Sequence, residues 1–134
     1  MPSISHITFI VKNLEKSAAL FARIFNAQEV YSSGEKTFSF SKEKYLLVQD
    51  LWICLMHGEP MPDRSYNHIA FKIDDADFDN YLRKIREMNL EIAPPRKRVS
   101  GEGRSLYFYD YDHHLFELHT GTLNERLRRY TSDG

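Results

Sequence analysis

With 134 residues, 42% of them hydrophobic, the chain can bury one sizeable core and is too short for two ordinary independent domains. Eighteen basic against 19 acidic residues leave a net charge of −1, which excludes a whole-molecule field for nucleic acid or an anionic membrane and makes a small molecule the expected partner. A single cysteine, Cys54, and no CxxC exclude a disulfide framework and a thiolate zinc cluster, and fit a reducing cytoplasm. No apolar run approaches a membrane span, and the start MPSISHITFIVKNLEK carries charges where a signal peptide needs apolar residues, so a cytoplasmic location is expected.

SHITFIVKN alternates as a strand, with Ile7, Phe9 and Val11 on one face and His6, Thr8 and Ile10 on the other. Asn13 then offers a cap, and Leu14, Ala18, Phe21 and Phe25 recur at helical spacing up to Asn26. QEVYSS, KTFSFSKEKYLLV and LWICLM follow as three strands, the last apolar enough to be deeply buried. The first half therefore reads β-α-β-β-β.

After the polar loop HGEPMPDRS the pattern begins again. At an ungapped offset of 62, SHITFIVKNLEK faces NHIAFKIDDADF, so that His6 meets His68, Ile7 meets Ile69 and Phe9 meets Phe71. Phe78, Leu82, Ile85 and Met88 continue a second helix, and EIAPP, RSLYFYD and HLFELH supply strands. The chain is a duplicated module, with module 1 at about 4–58 and module 2 at about 66–121 of one α+β domain. GTLNERLRRY closes it with a short helix over about 122–130, capped by the Thr122 and Glu125 pair. The simplest reading of its Arg126, Arg128 and Arg129 is a solvated face.

The stretch DYDHHLFELH concentrates three histidines and a glutamate. Leu115, Glu117 and His119 share a strand face, so facing alone cannot separate Glu117 from His119. Aligning LWICLMHG with HLFELHTG at their glycines places Cys54 opposite Glu117 and Met56 opposite His119, which singles out Glu117. His113 and His114 follow a turn-forming DYD and are expected to be exposed hairpin residues. Neither H-E-x-x-H nor H-x-x-E-H is present, and those motifs need a helix. His6, His68 and Glu117 are the set to choose: two imidazoles and one carboxylate from three strands bind a divalent ion and leave positions open for water and substrate. A lone His6 would usually be a satisfied strand-edge histidine, but its repetition at His68 reverses that preference.

With these features in view, the chain resembles the vicinal oxygen chelate superfamily, which includes glyoxalase I and extradiol dioxygenases. Within it the stretches SHITFIVKNLEKS, FNAQEVYSSGEKTFSFSKEK, LWICLM, YNHIAF and GEGRSLYFYDYDHHLFELHTGTLNERLRRY resemble the fosfomycin-resistance proteins over nearly the whole length. The resemblance implies tandem βαβββ modules, a barrel completed by module exchange in a homodimer, and Mn²⁺ held by His6, His68 and Glu117. Zn²⁺, Ni²⁺ and Fe²⁺ accept the same ligands. FSFSKEKYLL resembles the epoxide-hydrolase type, in which a glutamate at Glu43 is the general base; by itself Glu43 would read as a solvated hairpin residue. Thr8, Trp52 and Tyr66 match active-site positions. Ser105, Tyr107 and Arg126 match phosphonate-binding positions, with one or more of Arg96, Lys97 and Arg98 in place of a lysine. Cys54 reads as a small core residue rather than a ligand or nucleophile. The alternatives are a thiol transferase on the same scaffold and a non-catalytic, drug-sequestering protein, which would need no metal set.

Overall fold

The computed structural model describes residues 1–94, 100 and 103–132. Along the chain run β1 (His6–Val11), α1 (Leu14–Phe25), β2 (Gln28–Ser32), β3 (Glu43–Val48), β4 (Leu51–His57), β5 (His68–Lys72), a 3-10 turn (Asp75–Asp77), α2 (Phe78–Glu87), β6 (Ser105–Tyr109), β7 (Leu115–His119) and α3 (Leu123–Ser132). One sheet has the order β1-β4-β3-β2 and the other β5-β7-β6. In each, the first strand of the module pairs in parallel with the last. The fold is α+β, built from two βαβββ modules as the duplication predicts. Two compact units result: Met1–Arg64 with Asp110–His114, and Ser65–Tyr109 with Leu115–Gly134.

In the first unit α1 starts where expected, because the Asn13 side chain accepts a 3.0 Å hydrogen bond from the Lys16 N–H. It stops at Asn26, whose left-handed backbone (φ 54°) closes the last turn. Leu20, Phe21, Ile24 and Phe25 are buried as the helix packs on β3 and β4, whose Leu46, Ile53 and Leu55 are also buried. Each such side chain contributes roughly 1.5–3 kcal/mol. Lys44, also buried, ties helix to sheet through Glu15 of α1 at 3.1 Å and Glu29 of β2 at 3.0 Å. Burial pushes its ammonium pKa down, but hydrogen bonds to the two glutamates outweigh that and hold it above 10.5.

Three expectations change on contact with the structure. The strand expected from Lys36 begins only at Glu43, because β4 ends at His57, opposite Lys42, and offers no further backbone for the preceding residues to pair with. EIAPP shrinks to a bridge between Ile92 and Phe108, with Ala93 bonding the Tyr107 carbonyl; Pro94 has no N–H to carry the ladder further. His114 is not an exposed turn residue. Its ring lies edge-on to Phe9 at 4.9 Å, and its Nδ1 is 2.7 Å from Asp110 Oδ2. The turn belongs to the first unit because Asp112 accepts the Lys12 N–H at 3.0 Å and Lys16 sits over the Tyr111 ring.

Candidate metal centre and catalytic face

The register of the first sheet gathers the candidates of module 1 on one face. His6 pairs with Trp52 and Thr8 with Cys54 across β1 and β4; Glu43 pairs with Met56 and Tyr45 with Cys54 across β3 and β4. Their side chains therefore project from the surface opposite α1. The His6 ring stacks on Trp52 at 4.1 Å, and Tyr45 meets Trp52 edge-on at 5.1 Å.

Glu43 is 3% exposed, so the solvated hairpin position that its residue type suggests is not where it lies. Its Oε1 lies 3.9 Å from Cys54 Sγ, while Oε2 is buried without a hydrogen-bond partner among the described residues. Trp52 Nε1 is likewise buried and unpartnered among them. A buried carboxylate oxygen without a partner leaves acceptor capacity unused. Hydrogen bonding to Glu43, and then burial, pushes the Tyr45 hydroxyl up to about 12. Burial, with the Glu43 charge, pushes the Cys54 thiol up, which favours the protonated form expected of a small core residue.

The second unit carries His68, Glu117, Ser105, Tyr107 and Arg126. On β5, β7 and β6, Ala70 pairs with Glu117 and Tyr107 with Glu117, while Ser105 pairs with His119. His68 Nδ1 lies 2.7 Å from the Tyr66 carbonyl, which fixes the proton on Nδ1 and leaves Nε2 as a lone-pair donor. That Nε2 is 3.0 Å from Glu117 Oε1. The two atoms are thus close enough to share one divalent cation. Among the described residues no three His, Cys, Asp or Glu side chains converge as a ligand group, and His6 belongs to the first unit.

Glu117 is 5% exposed yet stays ionised. Burial pushes its pKa up, but the Ser105 hydroxyl, the His119 and His68 imidazoles and the Tyr107 hydroxyl together bring it below the usual carboxylate value. The Tyr66 hydroxyl donates to that of Tyr107 at 3.1 Å. A pocket of about 330 Å³ is lined by His68, Glu117, His119, Thr122, Leu123 and Arg126, so Arg126 is not simply part of a solvated face. Thr122 and Glu125 form the expected cap, with the Glu125 N–H donating to Thr122 Oγ1 at 3.1 Å. Arg96, Lys97 and Arg98 lie outside the described residues.

Sequence reasoning passed over Tyr45 and left His119 without a role. A signal for Tyr45 was present: Glu43 and Ser105, and Tyr45 and Tyr107, stand 62 residues apart, the spacing of His6 and His68.

Residues 3–118 match the Glyoxalase/Bleomycin resistance protein/Dioxygenase superfamily, and the chain belongs to it. More particularly, a fosfomycin resistance protein FosX from Listeria innocua serovar 6a is 58% identical over 127 residues, covering 95% of this chain and 96% of the relative. A metallothiol transferase FosB from Shouchella clausii is 39% identical over 133 residues, covering 95% of this chain and 86% of the relative. The crystal structure of a fosfomycin resistance protein FosX variant from Listeria monocytogenes, complexed with Mn(II) and 1S,2S-dihydroxypropylphosphonic acid, superposes with a TM-score of 0.89 at 52% identity, covering 97% of this chain and 98% of that one.

Proposed function

We propose that this chain is a Mn²⁺-dependent hydrolase that opens the epoxide of fosfomycin with water, giving an inactive vicinal diol, and that it works in the cytoplasm. The observation that carries the hydrolytic reading is Glu43, a buried carboxylate with an idle oxygen on the face that also bears His6, Thr8 and Trp52. The relatives support it: they include fosfomycin resistance proteins, and a dihydroxypropylphosphonic acid has the composition of a hydrated propylphosphonate epoxide. No helix among the described residues is long and apolar enough to cross a membrane.

His6, His68 and Glu117 would hold the Mn²⁺, which when bound supplies Lewis acidity to the phosphonate and epoxide oxygens. Glu43 takes a proton from water as the water oxygen bonds to C1 of the substrate. The ring C1–O bond breaks, its electron pair stays on the ring oxygen, and that oxygen gains a proton, so one water is consumed and the carboxylate is restored. Thr8, Trp52 and Tyr66 line the reacting end, while Tyr107, Arg126 and the Arg96–Arg98 run serve the phosphonate. Ser105 shares that assignment, although its proton is engaged with Glu117.

The site is completed by a second copy, with His6 of one chain sharing its ion with His68 and Glu117 of another in an obligate homodimer. A monomer that keeps full activity on dilution would sink the dimer. For the reaction, purified protein is incubated with Mn²⁺ and fosfomycin, with and without thiol, and products are read by ³¹P NMR. A diol without thiol is the expected result. Product only with thiol would move the chain to the metallothiol transferases, and bound but unchanged drug would make it a sequestering protein.

A further inference from the structure

His119 belongs neither to the proposed metal set nor to the proposed substrate contacts, yet both its nitrogens are engaged. Nδ1 lies 2.6 Å from Ser105 Oγ and 3.5 Å from Glu117 Oε2; Nε2 lies 3.4 Å from Arg126 Nη2. Ser105 Oγ in turn lies 2.5 Å from Glu117 Oε2. The ends of this row fix its protons, because a guanidinium only donates and an ionised carboxylate only accepts. Ser105 has one proton, and spending it on Glu117 leaves its lone pairs toward His119, so Nδ1 must carry hydrogen. Nε2 then accepts from Arg126. With one nitrogen spent on Ser105 and the other facing a cation, His119 is itself a poor metal ligand, although it shares a strand face with Glu117.

We infer that His119 is a positioning residue for Glu117: by donating to Ser105 it keeps the serine proton on Oε2, which holds Oε1 beside His68 Nε2 for the metal. The inference rests on the metal reading of His68 and Glu117 made above. It also makes the row directional, from Arg126 through His119 and Ser105 to the carboxylate, so its members act in series rather than as independent contacts.

Calorimetric titration with Mn²⁺ alone, on the intact protein, tests this without turnover. Removal of a supporting partner typically weakens metal binding about 10–100-fold, and that loss is expected for H119L and S105A. H119N, whose amide N–H falls near the lost Nδ1–H, should recover most of the affinity. H119Q, whose amide reaches the Nε2 position instead, should not, and it replaces H119L if the leucine variant fails to fold. Because the groups act in series, the H119L/S105A double variant should be no weaker than S105A. Wild-type affinity in H119L and H119Q, no recovery in H119N, or additive losses in the double variant would each overturn the inference. A wild-type protein that takes up no Mn²⁺ would instead overturn the metal reading, and the inference with it.

Discussion

The two modules share a register and differ in what they leave unsatisfied. Cys54 and Glu117 sit at matching places, each paired with the residue two beyond the module's histidine and with a tyrosine, Tyr45 in one case and Tyr107 in the other. Beside them, Glu43 answers to Ser105 and Met56 to His119. Around Glu117 Oε2 and Oε1 the polar atoms are knitted together, with Ser105, His119 and His68 all in reach. In module 1 the carboxylate stands on the neighbouring strand, with Cys54 Sγ and the Tyr45 hydroxyl as its neighbours, and its Oε2 is left bare among the described residues. Duplication copies geometry, and single side chains at the copied positions differ: the proposed function makes one copy the holder of the ion and the other the acceptor of the proton.

Breaking the comparison at its two carboxylates should have the largest effect, with opposite signatures. E43Q, or E43S with the residue of the matching position, should cut fosfomycin turnover by about 10²–10⁴-fold while Mn²⁺ titrates as in the wild type. E117Q should instead weaken Mn²⁺ binding beyond the roughly 10–100-fold of a lost supporting partner, as read by calorimetry. Equal loss of metal by both variants would dissolve the distinction.

A smaller effect sharpens it. The Tyr45 hydroxyl is pushed up to about 12 from 10.0, chiefly by its hydrogen bond to Glu43. A group that holds its proton more tightly when folded adds stability that is fully present below pH 10, the ordinary phenol value, and is lost as pH rises from there through about 12. Urea unfolding at pH 9 and pH 11.5 should therefore show a fall that Y45F lessens, and E43Q should draw the phenolate absorbance midpoint down.

The smallest effect tests the frame rather than the site. Gln49, exposed at the first position of the β3–β4 hairpin, has φ 53°. Q49G should raise stability by about 0.5–1 kcal/mol in urea unfolding and leave turnover alone, since glycine takes that conformation without strain.

Much of this was legible in the primary structure because it depends on period and repetition. Alternation around His6 and the 62-residue offset to His68 reproduce as parallel β1–β4 and β5–β7 pairs with the same facing. Asn13 and Thr122 announced their helix starts because capping is a local hydrogen bond. What escaped depends on partners far along the chain. Glu43 looks solvated by residue type, and only the strand beside it buries it. Likewise, His114 sits in a turn-forming run, and only Phe9, more than a hundred positions away, makes it a packed side chain. Phe38 and Phe40 alternate like strand residues yet stand exposed, because β4 ends before it could pair with them.

The turn from Asp110 to His114 also says something about ancestry and about engineering. It is encoded between the last two strands of the second repeat but spends its contacts on the first, through the Lys12 N–H, the Phe9 ring and the Met61 carbonyl that faces His113 at 2.8 Å. A gene cut at the repeat boundary, near residue 65, would thus give an N-terminal fragment stripped of its own brace and a C-terminal fragment carrying a brace with nothing to hold. The first repeat thus relies on a turn that the second one encodes.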